Sequence, residues 1–150
     1  MMASWQQWLA KGDVKTHQTS KQEIDNLRAL ITRDLADAAL VALSADRRFA
    51  TAYNAALQAA TIAIACSGYR VSARSGHHKV TFEAAGAAIG DGATALADYF
   101  ETCRRKRNVI DYMTSSVATD TEAEEISKKA KEFHLVVENW VRLKHSFLAI

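Results

Sequence analysis

The chain contains no proline, and glycine occupies only 6 of its 150 positions. The main helix breakers are thus nearly absent, and the alanine, leucine, glutamate and lysine that fill the sequence suit long helices. An all-α fold is predicted. The few glycines sit at turns without the Lys-Ser/Thr that a phosphate loop requires, which excludes a nucleotide-hydrolysing P-loop. Cysteine is scarce as well. Cys66 and Cys103 stand singly inside helical patterns, without metal-type spacing, and read as reduced, structural thiols of a cytoplasmic protein. No large excess of one charge exists either: 19 Lys and Arg against 17 Asp and Glu give a net charge of +2, so bulk charge does not argue for a nucleic-acid binder. The N-terminus has Trp5 and Trp8 but no continuous apolar core after basic residues, so it does not read as a secretory signal. The Ala-rich stretch from Ala55 to Cys66, interrupted by Gln58, is too short to span a bilayer, and no membrane association is expected.

Metal and acid–base chemistry find little support. His77 and His78 are adjacent, so on a helix they point about 100° apart and cannot share one metal. His17, His134 and His145 are scattered, and Glu122, Glu124 and Glu125 read as acids complementing a helix N-terminus. No metal or other cofactor is expected, and no serine or cysteine is singled out as a nucleophile.

One domain of this length buries a sizeable core without staples. A short helix over Ser4–Lys11, ended by Gly12, places two tryptophans as a clip over the main body, and a polar link, Asp13–Thr19, follows. Ser20 with Glu23 reads as a capping box for a helix carrying Ile24, Leu27, Ile31, Leu35 and Ala38 toward Leu43. Asp46 caps the next, whose ridge of Phe49, Tyr53, Leu57 and Ile64 flanks a small-residue strip of Ala52, Ala56, Ala59 and Ala63. Gly68 fits a stop, and Tyr69–Gly76 reads as an irregular connection. Two helices are then predicted over about His77–Ile89 and Thr94–Met113. A last helix opens on a Thr121–Glu124 capping box, with the stripe Ile126, Ala130, Phe133, Val137, Trp140, Leu143 and Phe147. Short connections predict an antiparallel bundle of four long helices plus one or two short ones.

The feature that points to function lies in Cys103-Arg104-Arg105-Lys106-Arg107-Asn108-Val109-Ile110-Asp111-Tyr112. At helical spacing Leu96, Phe100, Cys103 and Ile110 form an apolar stripe, and Arg107 falls inside it. A guanidinium there must be paired, line a cleft or meet a partner, because burying an unpaired ion costs several kcal/mol or more. Asp111 stands at i+4, with Arg104 and Asn108 on the neighbouring face. The candidate site is therefore Arg104, Arg107, Asn108, Asp111 and Tyr112. Alternatively, an Arg107–Asp111 pair merely locks the helix end while Arg105 and Lys106 remain solvated charges.

Read in order, the pieces resemble the HEPN superfamily, the higher-eukaryote and prokaryote nucleotide-binding helical domains, from about Leu35 to Trp140. The carriers are Ala52-Tyr53-Asn54-Ala55-Ala56 with Ala59-Ala60, the Gly68-Tyr69 turn, Gly76-His77-His78 before a helix containing Phe82, Arg107-Asn108-x-x-x-Tyr112, and Ala130, Phe133 and Trp140. The resemblance implies a compact helical bundle, often a homodimer, whose polar helix end faces a cleft between protomers. Many relatives are metal-independent ribonucleases of toxin–antitoxin, defence or RNA-processing systems that use Arg-x(4–6)-His. Others bind RNA, nucleotides or partner proteins, a nucleotidyltransferase encoded alongside among them. Here Tyr112 stands where the nuclease motif has histidine, which resembles the Arg-x4-Tyr branch. Tyrosine titrates at about 10 and replaces a near-neutral proton carrier poorly. The expectation is a non-catalytic binder of RNA, a nucleotide or a partner protein; the alternatives are a purely structural adaptor and a metal-independent endoribonuclease in which Arg107 stabilises the transition state and His77 or His78 stands in for the missing histidine, only across the cleft or from a partner subunit. A two-fold dimer is expected to cover Leu96, Phe100 and Cys103.

Overall fold

The computed structural model describes residues 4–73, 77–112 and 116–150, and the side chains of His77, Asp111 and Tyr112 lie outside the described residues. Its elements run α1 (Trp5–Lys11), β1 (Val14–Thr16), α2 (Lys21–Ala38), α3 (Ala45–Cys66), β2 (Tyr69–Val71), α4 (His77–Ile89), α5 (Asp91–Tyr112) and α6 (Asp120–Lys144), closing on a 3-10 turn, Ser146–Leu148. The fold is predominantly helical, as the proline-free composition predicts.

Local chemistry explains most boundaries. Ser4 and Gln7 form a reciprocal capping box at α1, and Gly12 ends that helix at φ +76°. Ser20 accepts the Glu23 N–H, but the Glu23 carboxylate turns to His17 and Thr19, so only half of the predicted box forms. Helix α2 stops at Ala38 rather than near Leu43, which leaves Leu40 and Val41 exposed. Ser44, not Asp46, caps α3. The Asp46 carboxylate instead accepts the backbone N–H groups of Val117 and Ala118 at 2.9 and 2.7 Å, tying the approach to α6 onto the start of α3. The last capping box is Thr119–Glu122, two residues before the predicted one.

Alternation too short to read in the sequence makes a small antiparallel ribbon. β1 and β2 pair Val14 with Val71, Lys15 with Arg70 and Thr16 with Tyr69, and further bonds from His17 N–H to Gly68 O and Ser72 N–H to Asp13 O extend the ladder. The segments read as a polar link and an irregular connection thus hold each other. Gly68, at φ +95°, supplies the left-handed turn that releases α3 into β2.

Helix α3 is the hub, packing against α2, α4, α5 and α6. It is 22 residues long and passes a length-and-hydropathy test for crossing a membrane, unlike the shorter Ala55–Cys66 run, yet 72% of its apolar window is buried in the protein. The alanine strip lets neighbours approach, and Tyr53, Phe82, Phe100 and Phe133 fill the centre. Helices α4 and α5 come so close that a Cβ on Gly86 would stand 3.2 Å from the Ala97 methyl. A satellite cluster of Trp8, Val14, Ile64 and Ala84 fixes the N-terminal clip, with Trp5 stacked on Tyr69 at 4.3 Å.

The stripe reading of α5 needs one correction. Leu96, Phe100 and Cys103 are only 7%, 0% and 8% exposed within a single chain, so α3, α4 and α6 already cover them and a second protomer is not needed for that purpose. In α6, Leu143 and the following Phe147 are 74% and 77% exposed rather than part of the buried stripe, and Val141 takes the inner position.

Candidate functional site

The C-terminal half of α5 presents Arg104, Arg105, Lys106, Arg107 and Asn108 beside the N-terminal half of α3. Arg107, expected to break an apolar stripe, is half-buried there. Its Nη2 donates to the Asn54 side-chain oxygen at 3.4 Å, and its guanidinium carbon lies 5.9 Å from the Tyr53 ring centroid. The aromatic face and the amide give the cation partial compensation for lost water. Asp111 and Tyr112, the other proposed members, end α5, and their side chains lie outside the described residues.

Arg104 does not wait for Asp111. Its Nε and Nη2 each stand 3.0 Å from Glu101 Oε1, one turn back on the same helix. Lys106 reaches across to Glu122 at the start of α6, in a contact that ties the two helices, and lies 6.0 Å from the Phe49 ring centroid. Lys106 is therefore not a solvated surface charge. Arg105 and Asn108 are exposed, at i and i+3, and Arg105 has no ion pair among the described residues. Within the run of four cations, Arg104 and Lys106 are thus held by the carboxylates of Glu101 and Glu122.

Two participants, Asn54 and Tyr53, were not legible as site residues. Asn54 and Tyr53 sit inside the alanine-rich α3 pattern, where Tyr53 reads as a core ridge residue, and it is one: its ring is fully buried against Phe82. Its hydroxyl lies 3.4 Å from His78 Nδ1 on α4. Burial pushes the Tyr53 phenol well above its ordinary pKa, the charge of Glu101 adds to that, and Arg107 and Arg104 oppose it. The phenol therefore stays protonated at neutral pH and acts as a hydrogen-bonding post rather than a base. His78, expected to stand in for the missing histidine only across the cleft or from a partner subunit, reaches the Tyr53 hydroxyl within one chain, on the same ring that Arg107 packs over. A cavity of about 200 Å³ adjoins this cluster, lined by Lys79, Glu83, Ala97, Asp98 and Glu101.

Elsewhere, Cys66 and Cys103 are free and buried. Burial pushes the Cys66 thiol up to about 11 and raises that of Cys103, so neither is an activated nucleophile. Among the described residues no three His, Cys, Asp or Glu side chains gather as a metal site. No family model, no curated protein and no solved structure matches this chain.

Proposed function

We propose that the chain is a HEPN-like antiparallel helical bundle that binds the phosphate groups of RNA or a nucleotide through the basic face of α5, without catalysing their cleavage. The observation that carries this reading is the exposed Arg105 and Asn108 on one face of α5, within a run of four consecutive cations from Arg104 to Arg107. Arginine forks and an amide suit phosphate oxygens. The protein would work in the cytoplasm, within a toxin–antitoxin or defence module and beside a nucleotidyltransferase partner, as the resemblance implies. Fluorescence titration with short RNAs and nucleotides tests it: Arg107→Ala should weaken binding by roughly 10- to 100-fold, the worth of one charge-assisted hydrogen bond. No binding by either protein, or equal binding by both, would remove the phosphate reading.

A second reading is favoured by His78. An imidazole beside Tyr53, whose ring carries Arg107 on it, brings a proton carrier and a cation into one cluster without the histidine that Tyr112 replaces. RNA cleavage that persists in excess chelator, and is lost in both His78→Ala and Arg107→Ala, would promote the metal-independent endoribonuclease over the binder.

A homodimer remains part of the proposal, but on another surface. Leu135, Leu143 and Phe147 are 65%, 74% and 77% exposed along α6 and the turn after it, and an isologous contact there would cover them. Sedimentation at micromolar concentration should show a dimer that Leu143→Glu converts to monomer. A monomer in wild type ends the dimer proposal.

A further inference from the structure

The ribbon that sequence reading passes over closes a second concavity, far in sequence from Arg104 and Arg107. A cavity of about 220 Å³ lies between α3, β2 and the start of α2, with Leu57, Ile64 and Val71 as its apolar walls. It shares His17 and Ala65 with a larger neighbouring cavity of about 520 Å³. On β2, Tyr69 and Val71 pack inward against the Trp8, Val14, Ile64 and Ala84 cluster, and strand alternation sends the exposed Arg70 side chain to the opposite face, beside its register partner Lys15. Arg70 thus borders the cavity through its backbone. The charge at the mouth is the Glu23 carboxylate, 41% exposed.

Hydrogen bonds already made fix what the cavity can still offer. His17 Nε2 lies 2.8 and 3.0 Å from the two Glu23 oxygens, and Thr19 Oγ1 donates to Oε1 at 2.8 Å. Oε1 therefore has two partners and Oε2 only one, which leaves Oε2 a lone pair for a further donor. Burial pushes the Glu23 carboxyl up, but the hydrogen bonds from His17 and Thr19 outweigh it, and the group stays ionised at neutral pH. In the neutral His17 ring the proton on Nε2 faces Glu23, so Nδ1 is an acceptor. Thr61 Oγ1 spends its proton on Leu57 O at 2.8 Å, and its lone pairs are likewise acceptors.

An apolar interior, three acceptors and one negative charge at the mouth call for a ligand that is apolar at one end and a cationic donor at the other. An ammonium group supplies three donors and the complementary charge, and an apolar cavity of ~150 Å³ is enough to hold benzene. We infer that this seam binds a small primary amine whose apolar body, one aromatic ring or a short branched chain, enters beneath the ribbon while its ammonium group meets Glu23 Oε2 at the mouth.

Benzylamine, the neutral isostere benzyl alcohol and the anion benzoate are the probes, followed by NMR of the Leu57, Thr61, Ile64 and Val71 methyls in the full chain at neutral pH. Benzylamine should bind saturably, benzyl alcohol about 5-fold more weakly, as expected of one half-exposed ion pair, and benzoate more weakly still. Glu23→Gln, which keeps the shape and removes the charge, should bring benzylamine and benzyl alcohol to equal affinity. Thr61→Leu should fill the cavity and abolish binding of both. Absence of saturable shifts at these methyls up to about 10 mM benzylamine would overturn the inference. So would benzoate binding as tightly as benzylamine, a preference for the amine that survives Glu23→Gln, or unchanged binding in folded Thr61→Leu. None of these outcomes depends on the α5 cluster.

Discussion

Phe100→Ala is expected to cost about 3–5 kcal/mol of folding stability, a large fraction of the roughly 5–15 kcal/mol that holds a domain of this kind. Phe100 is fully buried on α5, its ring 5.5 Å from Phe82 on α4 and 5.5 Å from Phe133 on α6, and Tyr99 meets it edge-on at 5.2 Å. Truncation therefore removes one corner of an aromatic cluster that three helices share, and rigid alanine-lined neighbours cannot collapse into the gap. Urea unfolding should show a lower midpoint with little change in slope, and Phe100→Leu should recover most of the loss. The consequence for the site follows from position. Phe100 lies two turns before Arg107, so the packing that fixes α5 against α3 also fixes the guanidinium over Tyr53. An unfolding free energy within a few tenths of a kcal/mol of wild type would mean that the aromatic cluster is not the point on which these helices are organised.

The legible and illegible parts of this protein divide along physical lines. Helices were readable because absent proline, periodic apolar residues and the turn residues Gly12 and Gly68 agree with one another. The N-terminal clip was readable because two tryptophans one turn apart need an apolar surface. Three-residue strands were not, since Val14–Thr16 and Tyr69–Val71 are too short for alternation to be distinguished from a loop, and their pairing joins segments more than 50 residues apart. Capping residues slipped for a related reason: Ser44, Asp46, Thr119 and Thr121 all have side chains able to cap, and only the folded path decides which one does and which tethers a loop. Within the candidate site, the same-helix geometry of Arg104 and Arg107 was visible, but Asn54 and His78 enter through long-range packing of α3 and α4. Arg107 also drew a wrong inference from a correct observation. Its stripe is apolar because the chain's own helices cover Leu96, Phe100 and Cys103, and one turn further on the guanidinium packs over Tyr53 beside Asn54.

Long-range packing also explains why the strongest electrostatic feature escaped notice in the sequence. Arg28 on α2 is buried, and it reaches Glu138 on α6 through Nε and Nη2, both at 2.9 Å. Its remaining donors go to Asp25 at 2.7 Å and to the Leu148 carbonyl at 2.8 Å, so one guanidinium joins α2, α6 and the closing 3-10 turn. Nothing in spacing pairs residues 110 positions apart. Because four of the five N–H donors are used inside the protein, removing one partner leaves a buried cation undercompensated rather than releasing it to water.

Glu138→Gln should therefore cost about 3 kcal/mol, although it preserves shape and can still accept one hydrogen bond. The acid limb of stability provides the sharper reading. Burial pushes the Glu138 carboxyl upward, but hydrogen bonds from His134 and Arg28 outweigh that effect and bring it from 4.5 down to about 2. A carboxyl depressed on folding contributes stability that is fully present above its unfolded value and is lost as pH falls through its folded value. The contribution is thus complete above pH ~4.5 and fades toward pH ~2, and at about 1.4 kcal/mol per unit it amounts to roughly 3 kcal/mol. Wild-type stability, measured by urea denaturation at successive pH values, should fall through this window more steeply than that of Glu138→Gln, and the two curves should converge at its acid end. Parallel curves would show that the Arg28–Glu138 pair does not govern acid stability.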